Sequence, residues 1–490
     1  MHSLSALSIP LLVSVTALPA QQFGELYPLP RDTGRTIDVQ LADADRDGDL
    51  DAFFANDGRK NTYLINDGTG RFWAADRAKW PSDSDQSFAV GVADVDLDGD
   101  VDVLFGNHPG QDRLYLNDGA GGFSDATATS LPLDAQRTYA VEFADVEGDG
   151  DADIFTTGSG LRLLLNDGTG VFTDVTADRL PFASGAGGFA FGDVDGDDDG
   201  DLVFGALCAQ SRIFLNDGDG VFIDGTTNRL PPLFDCVNDP ELFDSDGDGD
   251  LDLFFGVEGR CKLFLNDGTG VFSNVSATHL PQGLAPSLGV AVGDVDEDGD
   301  QDLVIGNGPS GGWQNWLWLN DGSGVFSDAT SERLPEVIND SPAIALGDLD
   351  SDGDLDFAQA STDSANQVFI NHHRQLHTLG DPVIGAEFDI ELSAQPGYGS
   401  RYHLAALGVS LGLNSPFDTP FGPIFLDPAR LVALRVVWIT PSSGRRTIST
   451  HVPDLPGIEG LELHLQGIVW EVFGPRPPRV TSYRSVTVRR

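Results

Sequence analysis

Basic residues are scarce in this chain. Its 490 residues include 28 Lys and Arg against 77 Asp and Glu, a net charge of −49. Such a surface repels phosphate and excludes nucleic acid as a partner. It suits the anionic headgroups of a bilayer equally badly. No stretch reaches the roughly 18 apolar residues of a membrane-spanning helix. The 59 glycines follow no Gly-X-Y period, so the chain is not collagen-like. Catalytic signatures are also missing: there is no Gly-x-Ser-x-Gly elbow, no His-Glu-x-x-His and no P-loop.

The acidic charge is concentrated. Residues 1–371 hold 17 basic and 67 acidic residues, whereas residues 372–490 hold 11 and 10. A disordered acidic segment would lack regular apolar strands. This one is full of them, so its charge has a structural task. Residues 4–20 differ again, being uncharged with the apolar run Ile9-Pro10-Leu11-Leu12-Val13. Small residues end this segment, which reads as a secretory signal peptide over 1–20, cleaved after Ala17 or Ala20.

The sequence repeats with a period near 50. The strongest element is Asp-x-Asp-x-Asp-Gly-Asp-x-Asp, starting at Asp43, Asp94, Asp145, Asp193, Asp244, Asp294 and Asp348, with spacings of 51, 51, 48, 51, 50 and 54. Asn-Asp-Gly-x-Gly follows at Asn66, Asn117, Asn166, Asn216, Asn266 and Asn320, and degenerates after Asn371. Each unit reads as four short strands, a to d, which unit two places at 88–95, 101–105, 113–116 and 123–126. Asn-Asp-Gly is a hairpin signal between strands c and d.

The residue pairs before each Asn are apolar at both positions, as in Tyr115-Leu116 and Trp318-Leu319. Neighbouring strand residues point to opposite faces, so each sheet is covered on both sides. Four strands per unit, this period and two apolar faces predict a β-propeller rather than a β-sandwich. Seven units predict seven blades over residues 21–374.

Carboxylates at alternate positions around a turn Gly suit Ca²⁺, a hard cation that takes six to eight oxygens. The candidate ligands are Asp43, Asp45, Asp47, Asp49 and Asp51 in the first loop and Asp94, Asp96, Asp98, Asp100 and Asp102 in the second. The third has Asp145, Glu147, Asp149, Asp151 and Asp153; the fourth has Asp193, Asp195, Asp197, Asp199 and Asp201. The fifth has Asp244, Asp246, Asp248, Asp250 and Asp252, and the sixth Asp294, Asp296, Asp298, Asp300 and Asp302. The seventh has Asp348, Asp350, Asp352, Asp354 and Asp356. An EF-hand would need flanking helices and a Glu at loop position 12, where Phe54 and Phe105 stand instead.

With these loops, and with Phe105-Gly106, Phe204-Gly205, Phe255-Gly256 and Ile305-Gly306 after strand b, the chain resembles the FG-GAP/VCBS repeat family. That family includes the seven-bladed propellers of integrin α subunits. The resemblance covers residues 22 to about 371. It implies ligation by the side chains at positions 1, 3, 5 and 9 and by the carbonyl at position 7. In loop one these are Asp43, Asp45, Asp47 and Asp51, with the carbonyl of Asp49. Up to seven structural Ca²⁺ ions follow. Loop four, with Asp198 in place of the turn Gly, is expected to be the weakest site.

The face opposite the acidic loops offers His108, Tyr139, Trp313, Asn315 and Trp316, aromatic and polar groups suited to recognition of sugar or protein. The cluster His372, His373 and His377 reads as a surface hinge. Beyond it, residues 380–490 alternate as a β-sandwich would. Pairing Asp244 with Asp252 puts Cys236 opposite residue 260, which predicts a Cys236–Cys261 disulfide with Cys208 free. Blade seven lacks a fourth strand, and residues 23–30 match the segment before the fourth loop. The N-terminus is therefore expected to supply that strand, with residues 374–378 as the competitor. The functional expectation is a secreted, monomeric, non-catalytic adhesion or recognition module for an extracellular protein or carbohydrate. Its rivals are a lectin-like carbohydrate binder and a polysaccharide-degrading enzyme, whose paired carboxylates the Asp background would hide.

Overall fold

In a computed structural model, the described residues are 23–25, 29–30 and 35–371, except 69, 77, 82–84, 134–135, 184–186, 309–312 and 352, together with strands between 376 and 487. The expected signal peptide, His372 and His373 lie outside them, as does Asp352. The chain divides into one compact unit over Gln22–Gln375 and a second that contains Leu376–Arg490.

The first unit is built from repeated four-stranded antiparallel sheets, a β-propeller-like arrangement. Repeat two shows the pattern, with strands Ser87–Ala93, Asp102–Asn107, Arg113–Asn117 and Phe123–Asp125. They fall within one or two residues of the sequence expectation at most ends. Five such sheets stand alone, and repeats five and six join into one of eight strands through Glu258↔Pro286 and Gly259↔Ala285. The first strand of each repeat lies beside the first strand of the next. Ile344–Gly347 in turn lies beside Arg35–Ala42, so the series closes on itself.

Closure uses the N-terminal strand. Phe23–Glu25 pairs antiparallel with Gln367–Asn371, Phe23 opposite Asn371, and forms the outer strand of the last sheet. The competitor is excluded, because Leu376–Leu379 pairs with Glu387–Ser393 in the second unit. Phe23 is fully buried, packed edge-on against Phe357 at 5.2 Å.

The apolar cores lie between sheets, as both-faced burial of strand b requires; all six residues of Asp102–Asn107 are buried. One cluster joins Phe53 and Tyr63 of repeat one to Phe105, Tyr115 and Phe123 of repeat two. Another joins Val368 and Ile370 of repeat seven to Val39 and Phe54 of repeat one. Four-residue helical turns follow strand d, at Thr127–Ser130, Thr176–Arg179, Ser276–His279 and Thr330–Arg333. They are too short to leave a 3.6-residue signature.

The second unit holds antiparallel strands close to the stretches that alternate in sequence. Leu431–Ile439, His403–Ser410, Glu462–Glu471 and Arg479–Thr487 form one sheet in that order. Leu376–Leu379, Glu387–Ser393 and Arg445–His451 form another, and Leu413–Thr419 pairs with Gly422–Leu426.

Candidate cation-binding loops and the opposite face

Each acidic loop joins strands a and b and is bent by its own carboxylates. Asp43 accepts from the backbone amides of Asp47 at 3.2 Å and Gly48 at 3.0 Å, and Asp47 accepts from Asp49 at 3.0 Å. The same bonds recur around Asp145 and Asp149. Position 4 of the loops is left-handed, with φ of +59° at Arg46 and Leu97 and +55° at Glu297. Position 6 is left-handed as well. In loop four Asp198 adopts φ +69° there, and Asp193 still closes on its amide at 2.9 Å. The missing glycine therefore leaves the loop's shape intact.

At position 3 the carboxylates are incompletely satisfied. The Oδ1 atoms of Asp45, Asp96, Asp195, Asp246 and Asp296 are buried without a hydrogen-bond partner. Neighbouring carboxylates crowd them. Oxygens of Asp43, Asp45 and Asp47 lie within 4.8 Å of one another, as do those of Asp193, Asp195 and Asp197 and those of Asp244, Asp246 and Asp248. In loops two and six the group includes position 9, as Asp94, Asp96 and Asp102 and as Asp294, Asp296 and Asp302. A buried acceptor with no donor costs about 1–3 kcal/mol, and clustered anions add to that. A hard cation among these oxygens removes both penalties, so the donor set fits Ca²⁺.

Position 9 also has structural work. Asp102 accepts from the amides of Asn117 at 2.8 Å and Val95 at 3.0 Å, tying strand c back to the loop. Asp153, Asp201, Asp302 and Asp356 do the same. Burial pushes the carboxyls of Asp51, Asp102 and Asp201 up to about 7 and that of Asp302 to about 8. Position 7 faces the hairpin turn. A methyl group at Gly119, where φ is +69°, would stand 2.5 Å from Asp100 Oδ2. Only glycine meets both conditions.

The Asn of each hairpin ties neighbouring repeats together. Asn117 Nδ2 donates to the carbonyl of Ala44 in the preceding loop at 2.8 Å, and Asn166, Asn216, Asn266, Asn320 and Asn371 repeat this with Val95, Val146, Val194, Ser245 and Val295. As a turn signal, Asn gave no hint of this bond.

Inside the ring of first strands lies a cavity of about 630 Å³. Bulges in these strands leave Ile37, Phe88, Tyr139, Asn238 and Leu288 unpaired, and all five line it. Asp38, Glu142, Asp239 and Glu241 line it too, and none of the described lining residues is Lys or Arg. Water reaches Glu142, but the surrounding protein still desolvates it. Burial pushes Asp38 up to about 6 and Glu142 to about 7, and raises Asp239 and Glu241. Asp38 accepts from Val90, and Asp239 from Val290, each amide in the next repeat.

On the opposite face, His108 Nε2 and the Tyr139 hydroxyl share a hydrogen bond of 2.9 Å, and both rings pack on Phe88. Trp313 is exposed. Asn315 is not on the surface: it is buried, accepting from the Asn307 amide and donating to Gln359 Oε1. Trp316 stacks on Trp318 at 5.1 Å. Asn315 thus holds the hairpin rather than facing a ligand, and Trp316 is half-buried. Sequence reading missed exposed apolar residues just after the repeated Leu-Pro: Leu133, Phe182, Phe234, Leu284 and Ile338. Their signal was the Leu-Pro repeat itself.

The expected Cys236–Cys261 disulfide is not formed; Cys208 pairs with Cys236. Asp252 pairs with Phe243 rather than Asp244, and the register shifts once more at Val237/Asp239, so the Cys236 carbonyl meets the Glu258 amide rather than residue 260. Cys236 also bridges to Leu207. Cys261 is buried, its Sγ 3.2 Å from Ser287 Oγ.

The FG-GAP-like repeat model matches residues 43–105, 94–156, 244–305 and 295–358. The chain thus carries four FG-GAP-like repeats. Loop four, which carries Asp198, lies outside the four matches. No curated protein matches the chain. A similar solved structure is an Agrocybe aegerita lectin described by its specific recognition of non-reducing terminal N-acetylglucosamine. It is 18% identical, with a TM-score of 0.41, covering 68% of this chain and 87% of the lectin. No helix among the described residues is long and apolar enough to cross a membrane.

Proposed function

We propose that the protein is a secreted, Ca²⁺-stabilised, seven-bladed β-propeller with a C-terminal β-sandwich, acting as a non-catalytic recognition module. The buried, partnerless Oδ1 at position 3, recurring in five loops, carries the Ca²⁺ assignment. Side chains at positions 1, 3 and 5 hold the ion, with position 9 contributing in loops two and six. Its chemistry is charge neutralisation and cross-linking of the two strands that flank each loop. The Cys208–Cys236 disulfide supports an oxidising compartment.

Recognition is assigned to the face opposite the ions. Leu133 and Phe182, 98% and 84% exposed, stand one residue after the Pro of Leu-Pro, and Phe234, Leu284 and Ile338 continue the series three residues after it in the next three repeats. Exposed apolar groups arranged in this way mark interaction surfaces. The ligand is an extracellular protein or a glycan, and Trp313 with the His108–Tyr139 pair favours a sugar-bearing one. A glycan array and a binding screen against extracellular proteins test this. Binding should be lost in Leu133→Asp/Phe182→Asp but kept in a variant altered on the loop face. Loss only in the loop-face variant would overturn the assignment.

A further inference from the structure

The position-3 carboxylates of repeats three, four and six share a partner that neither the loop motif nor the hairpin motif contains. Arg179 Nη1 lies 2.9 Å from Glu147 Oε1, Arg229 Nη2 lies 3.2 Å from Asp195 Oδ2, and Arg333 Nη1 lies 2.9 Å from Asp296 Oδ2. Each Arg stands one residue before the repeated Leu-Pro, at the end of the turn that follows strand d. In Asp195 and Asp296 the guanidinium takes Oδ2, and the Oδ1 left over is the buried, partnerless oxygen. The same guanidinium reaches the next repeat. Arg179 donates to the carbonyl of Asp219 and Arg229 to that of Thr269, both in the following Asn-Asp-Gly-x-Gly turn. Those turns are already tied to the same loops, through Asn216 to Val146 and Asn266 to Val194.

We infer that Arg179, Arg229 and Arg333 are positioning residues for the cation sites of repeats three, four and six. Each fixes one oxygen of the position-3 carboxylate and turns the other toward the ion. This rests on the Ca²⁺ reading above. In Arg229 the two arms of the planar fork make the two contacts, Nη2 to Asp195 and Nη1 to Thr269, which holds the carboxylate at a set angle between two repeats as a flexible Lys does not. The equivalent residues elsewhere differ: Lys79 in repeat one, which donates to the Ala120 carbonyl at 2.7 Å, Ser130 in repeat two and His279 in repeat five. The sites are therefore graded around the ring, and loop four, which its Asp198 alone would make the weakest, joins the three that a guanidinium tightens.

A guanidinium beside a ligand carboxylate has an opposite reading, as a built-in counter-ion that the metal must displace. The two readings differ in sign. Removing an outer-shell partner that orients a ligand typically weakens metal binding about 10–100-fold. Removing a competitor strengthens it. The test is calorimetric titration of the full chain with CaCl₂, with native mass spectrometry to count bound ions. Arg229→Met should weaken one site about 10–100-fold, and the triple variant with Arg179→Met and Arg333→Met should weaken three. Arg229→Lys keeps the charge without the fork and should fall with Met. Arg212→Met, which loses only the ion pair to Asp224, should bind like wild type. Unchanged or tighter binding in Arg229→Met, or wild-type binding in Arg229→Lys, overturns the inference and leaves the Ca²⁺ reading standing. A wild-type chain that takes up no Ca²⁺ removes both. Melting in EGTA identifies a variant that has failed to fold, and Arg229→Lys then carries the decision.

Discussion

The side-chain amide of Asn66 donates to the carbonyl of Leu349, 2.8 Å away and 283 positions later in the chain. It is the same bond that every other repeat makes to its predecessor, here made from the first repeat to the last. The donor and acceptor are both buried, so loss of the amide leaves a carbonyl without its partner. Asn66→Ala should cost about 1–3 kcal/mol in urea unfolding. Hydrogen exchange should quicken first in Phe23–Glu25 and Gln367–Asn371, the strands at the closure. Exchange quickened equally in all repeats would show that the bond has no special part in closure.

Chelation should destabilise the protein strongly. Seven Ca²⁺ ions would offset 14 of the 49 net negative charges. Each site contributes about 2.7 kcal/mol when the ion is at 100 times its dissociation constant. Thermal melting should shift upward with the logarithm of Ca²⁺ concentration and fall in EGTA. An unchanged melting temperature in EGTA would remove the ion from the account.

Asp198 occupies a left-handed position that glycine holds in the other loops. A non-glycine residue there is strained by about 1 kcal/mol. Asp198→Gly should therefore stabilise the protein by about that amount, and Gly249→Ala should destabilise it similarly. Both are read from urea midpoints in saturating Ca²⁺.

The cavity carboxyls give a pH dependence. Asp38, Glu142, Asp239 and Glu241 all have folded-state values raised by burial, to about 6 for Asp38 and about 7 for Glu142. The folded state thus binds protons before the unfolded chain does. Stability should rise as pH falls from about 7.5 to about 5, and the gain should level off near 4, where unfolded carboxyls also titrate. Melting in EGTA of wild type and Glu142→Gln/Glu241→Gln checks this; the variant should be more stable at pH 7.5 and show a shallower slope.

Peptide mapping should find Cys208 linked to Cys236, with Cys261 alkylated only after unfolding. Reduction of a bridge closing this span should cost about 3 kcal/mol. Alkylation of Cys261 in the native protein would contradict its burial.

The acidic loops were readable in sequence because their chemistry is local: alternate carboxylates and a turn Gly lie within nine residues. Ring closure was readable because repeat seven lacks a strand that residues 23–30 resemble. The C-terminal strands were readable from alternation. What escaped was long-range or masked by a local meaning. Asn117 reads as a turn residue, and its bond to Ala44 crosses between repeats. Asp102 reads as a ligand, and its carboxylate also holds two backbone amides. Cys236 was misassigned because Asp252 pairs with Phe243 rather than Asp244 and a bulge shifts the pairing by one more residue. Asn315 reads as a loop residue of a recognition face, and its hydrogen bonds to Asn307 and Gln359 draw it inward.

The placement of Phe23 has a consequence in time. A ribosome makes this strand ahead of the rest of the sheets and makes its partner, Gln367–Asn371, after nearly all of them. Until then Phe23 has no Phe357 to pack against, and the nascent protein keeps an unpaired edge at each end. Folding of this unit can proceed repeat by repeat during synthesis, but its completion waits for the final repeat to emerge.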